Sequence, residues 1–318
     1  MLNKYPLLLK PPIKDYIWGG TKLKTDFGFE TDKDIAAEAW LLSCHKDGMN
    51  TVLNGEYKGQ TLNAVLQIWG SDALGKNSDS FSYFPILIKF IDAKQSLSVQ
   101  VHPDDKYALE VEGEYGKTEM WYIVDCEEGA ELVYGFKSDI SKEEFERRIK
   151  DNTLMEVCNS VPVKKGDVFF ITAGTLHAIG AGILIAEVQQ NSNSTYRVFD
   201  FGRLGADGKP RELHIDKALA VTKCETPKIP YGKIGKVISD GVTELASCDK
   251  FTSRIVNLNG ELDINSPDSF VSVIVLEGNA VIKYECDELE LIKGSSVFIP
   301  AGIRTVITGN AQLLYSFV

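Results

Sequence analysis

The sequence predicts a mainly β protein assembled from two copies of one small β-barrel, with a few short helices. Three observations lead there. Short runs rich in β-branched and aromatic residues, among them FPILIKFI, SLSVQVH, MWYIVD, DVFFITAG and ILIAEVQQ, are punctuated by Gly, Pro and Asn. Short strands at such close spacing belong to sandwiches and barrels. KGDVFFITAGTLHAI (Lys165 to Ile179) aligns without a gap on KGSSVFIPAGIRTVI (Lys293 to Ile307), and a similar hairpin precedes each copy, MWYIVDCEEGAELVYGF in one and VSVIVLEGNAVIKYE in the other. Helical patterning is confined to a few stretches. The clearest are GQTLNAVLQIWG and ISKEEFERRIKDN, the second opening on Ser141 as N-cap with Glu144 as its capping-box partner.

The two copies are not chemically equivalent. Where the first has His177 the second has Thr305, and no His-bearing strand precedes the second hairpin. Chemistry is therefore expected in the first barrel, with the second as packing partner or lid. The polar, Pro-bearing stretch TKCETPKIPYGK (Thr222 to Lys233) marks the boundary. It leaves residues 1–225 as a metal-binding domain with an N-terminal extension and 233–318 as a second, degenerate domain.

Apolar residues at 44% and charged residues at 25% describe an ordinary folded chain. A net charge of -11 argues against nucleic acid and anionic membranes as partners, since both are bound through excess Lys and Arg. A local basic cluster can still hold a small anion, because screening limits the global field to about 8–10 Å. The opening residues MLNKYPLLLKPPIKDY lack the apolar length of a signal or a membrane span, which points to the cytoplasm. Six scattered cysteines without a CxxC pair suggest reduced thiols rather than disulfides or a thiolate metal site.

Strand alternation then gathers candidate metal ligands. In SLSVQVHPDD, Ser98, Gln100 and His102 share one face, opposite Leu97, Val99 and Val101. In GKTEMWYIVD, Lys117, Glu119 and Trp121 share one face, opposite Met120, Tyr122 and Val124. His177 opens the return strand just beyond the tight Ala-Gly turn at Ala173 and Gly174. A lone strand histidine is usually a hydrogen-bonded structural side chain. Two imidazoles with a carboxylate and an amide oxygen, however, suit zinc, or cobalt, manganese or iron, and such a shell leaves a position open for water or substrate. The two remaining histidines, His45 and His214, are expected to be surface or structural residues.

The spacing G-x5-TAG-xx-H from Gly166 to His177 resembles the second cupin motif, with Thr172 in place of Pro. Gln100-x-His102 with Glu119 downstream resembles the first, with Gln in place of its leading His. The resemblance implies two cupin-type jelly-roll barrels. Over nearly the whole chain, IWGGTKL, AEAWLLSCHKDG, FPILIKFIDAKQSLSVQVHPDD, GKTEMWYIVD, AGTLHAIGAG and QNSNSTYRVFDFGR follow in the order that type I mannose-6-phosphate isomerases carry them, and the sequence resembles the short bacterial form of that family. That resemblance implies one zinc ion per chain on Gln100, His102, Glu119 and His177, and catalytic roles for Arg197 and Lys117. It also implies Lys89 and Trp18 in the substrate pocket, a phosphorylated sugar as partner, an enediol intermediate, and a monomer or homodimer. Asn193 departs from the pattern, since related sequences often carry Asp there. The rival reading is a sugar-phosphate-binding cupin without turnover; an oxygenase on the same fold fits less well because it usually wants more His ligands.

Overall fold

The computed structural model describes residues 4–205 and 208–318, and the chain is mainly β with short helices at the periphery. All strand pairing within its sheets is antiparallel. The first unit is a jelly roll of two facing sheets. One has six strands in the order Val168–Ile171, Glu119–Cys126, Ile183–Gln190, Ile86–Ala93, Glu38–Leu42 and Ile13–Lys14. The other has five, in the order Cys158–Pro162, Glu131–Phe136, His177–Ala178, Val99–Val101 and Tyr196–Phe199. The sheets stay open rather than closing into one hydrogen-bonded cylinder.

The second unit is a nine-stranded sheet built around three long strands, Thr252–Ile264, Val271–Tyr284 and Thr305–Phe317. Strands of 13 and 14 residues cannot run straight through so small a unit, and they bend where Gly260, Gly278 and Gly309 adopt positive φ of 113°, 76° and 146°. At Gly278 a Cβ would meet the carbonyl oxygen of Asn310 at 2.2 Å, so no other residue fits the corner.

The internal repeat survives in the backbone. Gly166 and Gly294 have φ of 91° and 89°, and Gly174 and Gly302 have 87° and 78°. His177 and Thr305 each open the strand that follows, and both are fully buried. The N-terminal extension crosses the boundary drawn from sequence: Leu7–Lys10 pairs with Ser296–Ile299 and with Thr51–Val52, both within the second unit's sheet. Covering Ser296–Ile299 removes an open sheet edge that would otherwise invite association.

The expected helices form at Leu62–Trp69 and Lys142–Lys150. Thr61 Oγ1 accepts from Ala64 N at 3.2 Å to open the first, and Gly70, at φ 76°, ends it. Ser141 caps the second by accepting from Glu144 N at 3.1 Å. A third helix, Asp105–Val111, follows Pro103, because Asp104 accepts from Tyr107 N at 2.9 Å and so caps it. Between the units, Phe84, Phe270 and Phe298 pack ring on ring with centroids 5.3–6.4 Å apart, in one core with Leu7, Leu9, Ile86 and Leu314. Truncating Phe298 to Ala should cost about 3–5 kcal/mol, seen as an earlier guanidinium unfolding midpoint; an unchanged midpoint would show that the inter-unit core contributes little.

Candidate metal centre and active site

The register of the two sheets determines which side chains meet. In the five-stranded sheet Gln100 lies between His177 on one neighbour and Arg197 on the other. In the facing sheet Glu187 lies between Lys89 and Trp121, and Gln189 is paired with Glu119. Successive side chains alternate faces, so Glu119, Glu187, Lys89 and Gln100 all project into the gap between the sheets, while Met120, Tyr122 and Val124 pack into the inter-unit core.

His102, Glu119 and His177 form a completely buried group whose donor atoms lie within 4.8 Å of one another. The two imidazoles approach through Nε2, 3.1 Å apart. Each is oriented from behind by a backbone carbonyl: His102 Nδ1 lies 3.0 Å from Ser194 O, and His177 Nδ1 2.8 Å from Thr175 O. With both Nδ1 atoms donating, the two Nε2 lone pairs face each other, a pairing that suits a shared cation; in the structure Lys117 Nζ lies 3.0 Å from His102 Nε2. Glu119 lies against them, with Oε2 3.6 Å from His102 Nε2 and Oε1 3.4 Å from His177 Nε2. Lys117 Nζ lies 2.7 Å from Glu119 Oε2 as a buried ion pair, while Oε1 faces the His177 ring at 3.4 Å. Two opposed imidazole nitrogens and a buried carboxylate at this spacing form a group that could hold a divalent metal ion. Gln100 is in reach, its Nε2 3.4 Å from His177 Nε2, and half a turn of the amide would present Oε1 instead.

Electrostatics fit that reading. Burial, reinforced by Lys117, holds His102 well below the usual histidine range, and burial takes His177 down to about 3. Both rings are therefore neutral, as metal ligands must be. Burial, with repulsion from Glu187, pushes Glu119 upward and outweighs the opposing pull of Lys117 and Lys89. Glu187 is shifted the other way: burial alone would raise it, but Lys117 and Lys89 outweigh burial and keep it ionised.

Above this cluster opens a cavity of about 310 Å³ lined by Trp18, Lys89, Gln100, Lys117, Glu187 and Arg197, among others. The structure thus brings together every residue that the sequence singled out, with His102, Glu119 and His177 beneath the cavity floor. Trp18 is buried and stacks on Tyr16 at 5.5 Å. Lys89 reaches Glu187 at 3.4 Å and Glu38 at 4.0 Å, and lies over the Trp40 ring. Arg197 donates Nη1 to Glu212 O at 2.8 Å and leaves its buried Nε without a partner.

Sequence reasoning missed Glu187, Glu38 and Arg211. A lone carboxylate inside the otherwise apolar run ILIAEVQQ was the available signal for Glu187, because an unpaired charge is not buried in a central strand without a partner. The histidines set aside prove structural rather than superficial. His45 is buried, with Nε2 3.5 Å from Glu114 and Nδ1 3.6 Å from Asp47. His214 precedes the helix Ile215–Val221 half-buried, and its Nδ1 accepts from Arg197 N at 3.1 Å, so it holds the arginine's backbone instead of facing solvent.

Asn193 also has a reason to be an amide. Its Nδ2 donates to Asp47 Oδ2 at 2.9 Å at the cavity wall, where an Asp would oppose one carboxylate with another. Asn193→Asp should therefore destabilise the fold by roughly 1 kcal/mol, and adding Asp47→Asn should recover it; additive losses in thermal unfolding of the double variant would rule out the contact.

The chain matches two family models: the type I phosphomannose isomerase catalytic domain over residues 7–156 and the mannose-6-phosphate isomerase cupin domain over residues 241–318. It is 38% identical over 316 residues to the mannose-6-phosphate isomerase of Streptococcus mutans, covering 98% of each chain. It is 39% identical over 319 residues to the mannose-6-phosphate isomerase ManA of Bacillus subtilis, again covering 98% of each. The crystal structure of a mannose 6-phosphate isomerase from Bacillus subtilis superposes with a TM-score of 0.89 at 37% identity, over 99% of this chain and 100% of that one. By sequence over its full length, and by a structure that follows that of the relative throughout, the chain belongs to the type I phosphomannose isomerase family.

Proposed function

We propose that the protein interconverts mannose 6-phosphate and fructose 6-phosphate by moving a proton between C1 and C2 through an enediol, with one zinc ion per chain. The observation that carries this reading is the opposed pair of neutral imidazoles beside the buried Glu119 carboxylate, next to a cavity whose wall carries Lys117, Lys89, Arg197 and Arg211. The relatives' names supply mannose 6-phosphate, and moving a proton between its C1 and C2 gives the ketose, fructose 6-phosphate. His102, Glu119 and His177 would hold the metal, with Gln100 as the fourth ligand. When bound, the metal would act as a Lewis acid or a template for the sugar's oxygens, chemistry suited to an open shell.

The remaining work falls to the chain's own side chains. A cavity of about 310 Å³ is of the size of small-ligand sites, which begin near ~300 Å³. Arg197 and Arg211 on its wall offer permanent charge to the phosphate or to oxygen charge developing during proton transfer. Glu187 Oε1 is ionised, buried and without a hydrogen bond, which makes it an acceptor for the proton leaving C1 or C2. Lys117 Nζ, 3.8 Å from that oxygen, is placed to exchange protons with the sugar's oxygens. Lys89, 3.4 Å from Glu187, fixes the carboxylate and contributes positive charge. Trp18 closes the cavity with an apolar face that excludes water and orients the sugar. Two acid–base groups and two arginines around one cavity favour turnover over simple sugar-phosphate binding.

Stripping the protein with a chelator should abolish interconversion of the two sugar phosphates, and zinc should restore it; turnover that survives alongside metal-free elemental analysis would sink the metal's role. Arg197→Ala should lower kcat/KM by about 100-fold or more while zinc content stays at one per chain. Metal loss in that variant would instead make Arg197 part of the metal site's support.

A further inference from the structure

The segment Gly116–Thr118 delivers Lys117 and Glu119 to the site, and none of its three backbone N–H groups is left to chance. Gly116 N donates to Asp105 Oδ1 at 2.9 Å, Lys117 N to Pro103 O at 3.0 Å, and Thr118 N to Gln190 Oε1 at 3.0 Å. Asp105 and Gln190 are joined in turn, Gln190 Nε2 donating to the same Asp105 Oδ1 at 2.7 Å, while Gln190 N donates to Thr118 O at 3.1 Å. Gly116 itself sits so close that a Cβ would lie 2.5 Å from the backbone of Asp104 and Asp105.

The free oxygen of this hub, Asp105 Oδ2, is held from the other unit. Lys250 Nζ lies 2.8 Å from it, with the exposed Asp249 carboxylate as its second partner at 3.2 Å. Lys250 stands next to Phe251, which is fully buried and packs on Phe170 at 6.2 Å. Phe170 belongs to the strand Val168–Ile171, whose Ile171 pairs with Glu119. The lysine is therefore presented from a rigid anchor.

We propose that Lys250 is a positioning residue by which the second, degenerate unit sets the geometry of the first unit's active centre, an inference that rests on the metal-dependent isomerase reading. With Oδ2 pinned, the Asp105 carboxylate has a fixed plane, and Oδ1 must face the donors of Gly116 and Gln190. Released from Lys250 it can rotate into solvent, and the two donors then lose their shared acceptor. Slack in Gly116–Thr118 passes directly to Lys117 Nζ and the Glu119 carboxylate. Misplacement of a catalytic group by ~1 Å costs on the order of 100-fold in rate, so partial slack is felt. This assigns the second unit a task beyond packing.

The test compares Lys250→Met, which keeps the aliphatic stem, with Lys250→Arg, which keeps the charge. Lys250→Met should lower kcat and speed zinc transfer to a chromogenic chelator, each by about tenfold, as loss of an outer partner of a metal site typically does. KM should change by less than about twofold, because the substrate-contacting groups remain. Lys250→Arg should recover both quantities, and Asp105→Asn combined with Lys250→Met should be no worse than the poorer single variant. Wild-type kcat and zinc-release rate in Lys250→Met would overturn the proposal. So would losses that track the melting temperature and that Lys250→Arg fails to recover, since they would mark a general structural contact. Absence of isomerisation or bound zinc in the wild type would instead defeat the underlying functional reading.

Discussion

Two imidazole nitrogens facing each other 3.1 Å apart, beside a completely buried carboxylate, impose the constraint that the rest of the first unit serves. Such a group is unfavourable in an apolar interior unless positive charge joins it, and Lys117 Nζ stands 3.0 Å from His102 Nε2 and 2.7 Å from Glu119 Oε2. The architecture around it keeps the arrangement from relaxing. Carbonyls of Ser194 and Thr175 fix the ring tautomers, the strand register places Gln100 beside His177, and the facing sheet supplies Glu119 from the opposite wall.

The same gap holds an unusual density of buried charge. Lys89 and Lys117 face Glu38, Glu119 and Glu187 within 4.0 Å. With Arg197 and Arg211 on the cavity wall, four cations stand against the three carboxylates, a balance that suits an anionic sugar phosphate. Burial of this kind seldom adds stability, since desolvation offsets the Coulombic gain. Its value lies in function: opposite shifts of the neighbouring carboxylates Glu119 and Glu187 are the pattern by which one site provides groups with different protonation tasks.

The second unit keeps the fold of the repeat without its chemistry. Thr305 occupies the place of His177 in a unit whose core is built by Val271, Val273, Ile282, Val297 and Leu313, and among the described residues the metal-ligand group lies in the first unit. What the unit gives back is mechanical. It shares the strand Leu7–Lys10 and a core of stacked phenylalanines with the first unit. Through Lys250 it also touches the segment that carries Lys117 and Glu119.

How much of this was legible in the sequence depends on the range of the interaction. Alternation along a strand is a local property, so SLSVQVH and GKTEMWYIVD revealed which residues point the same way, and the repeat revealed that only one copy bears the histidine. Helix caps at Ser141 and glycine positions at Gly166 and Gly174 were readable for the same reason. Partnership across a gap is not local. That Glu187 lies between Lys89 and Trp121, that Arg211 joins Arg197, and that His214 holds the backbone of Arg197 depend on which strands and loops are neighbours. So does the bond of Lys250 to a carboxylate in the other unit. The sequence by itself determined the candidate ligands and the face each occupies, because the period of a strand is written residue by residue. Only the tertiary structure decided what stands opposite them, because sheet order and register are set by the packing of the whole core.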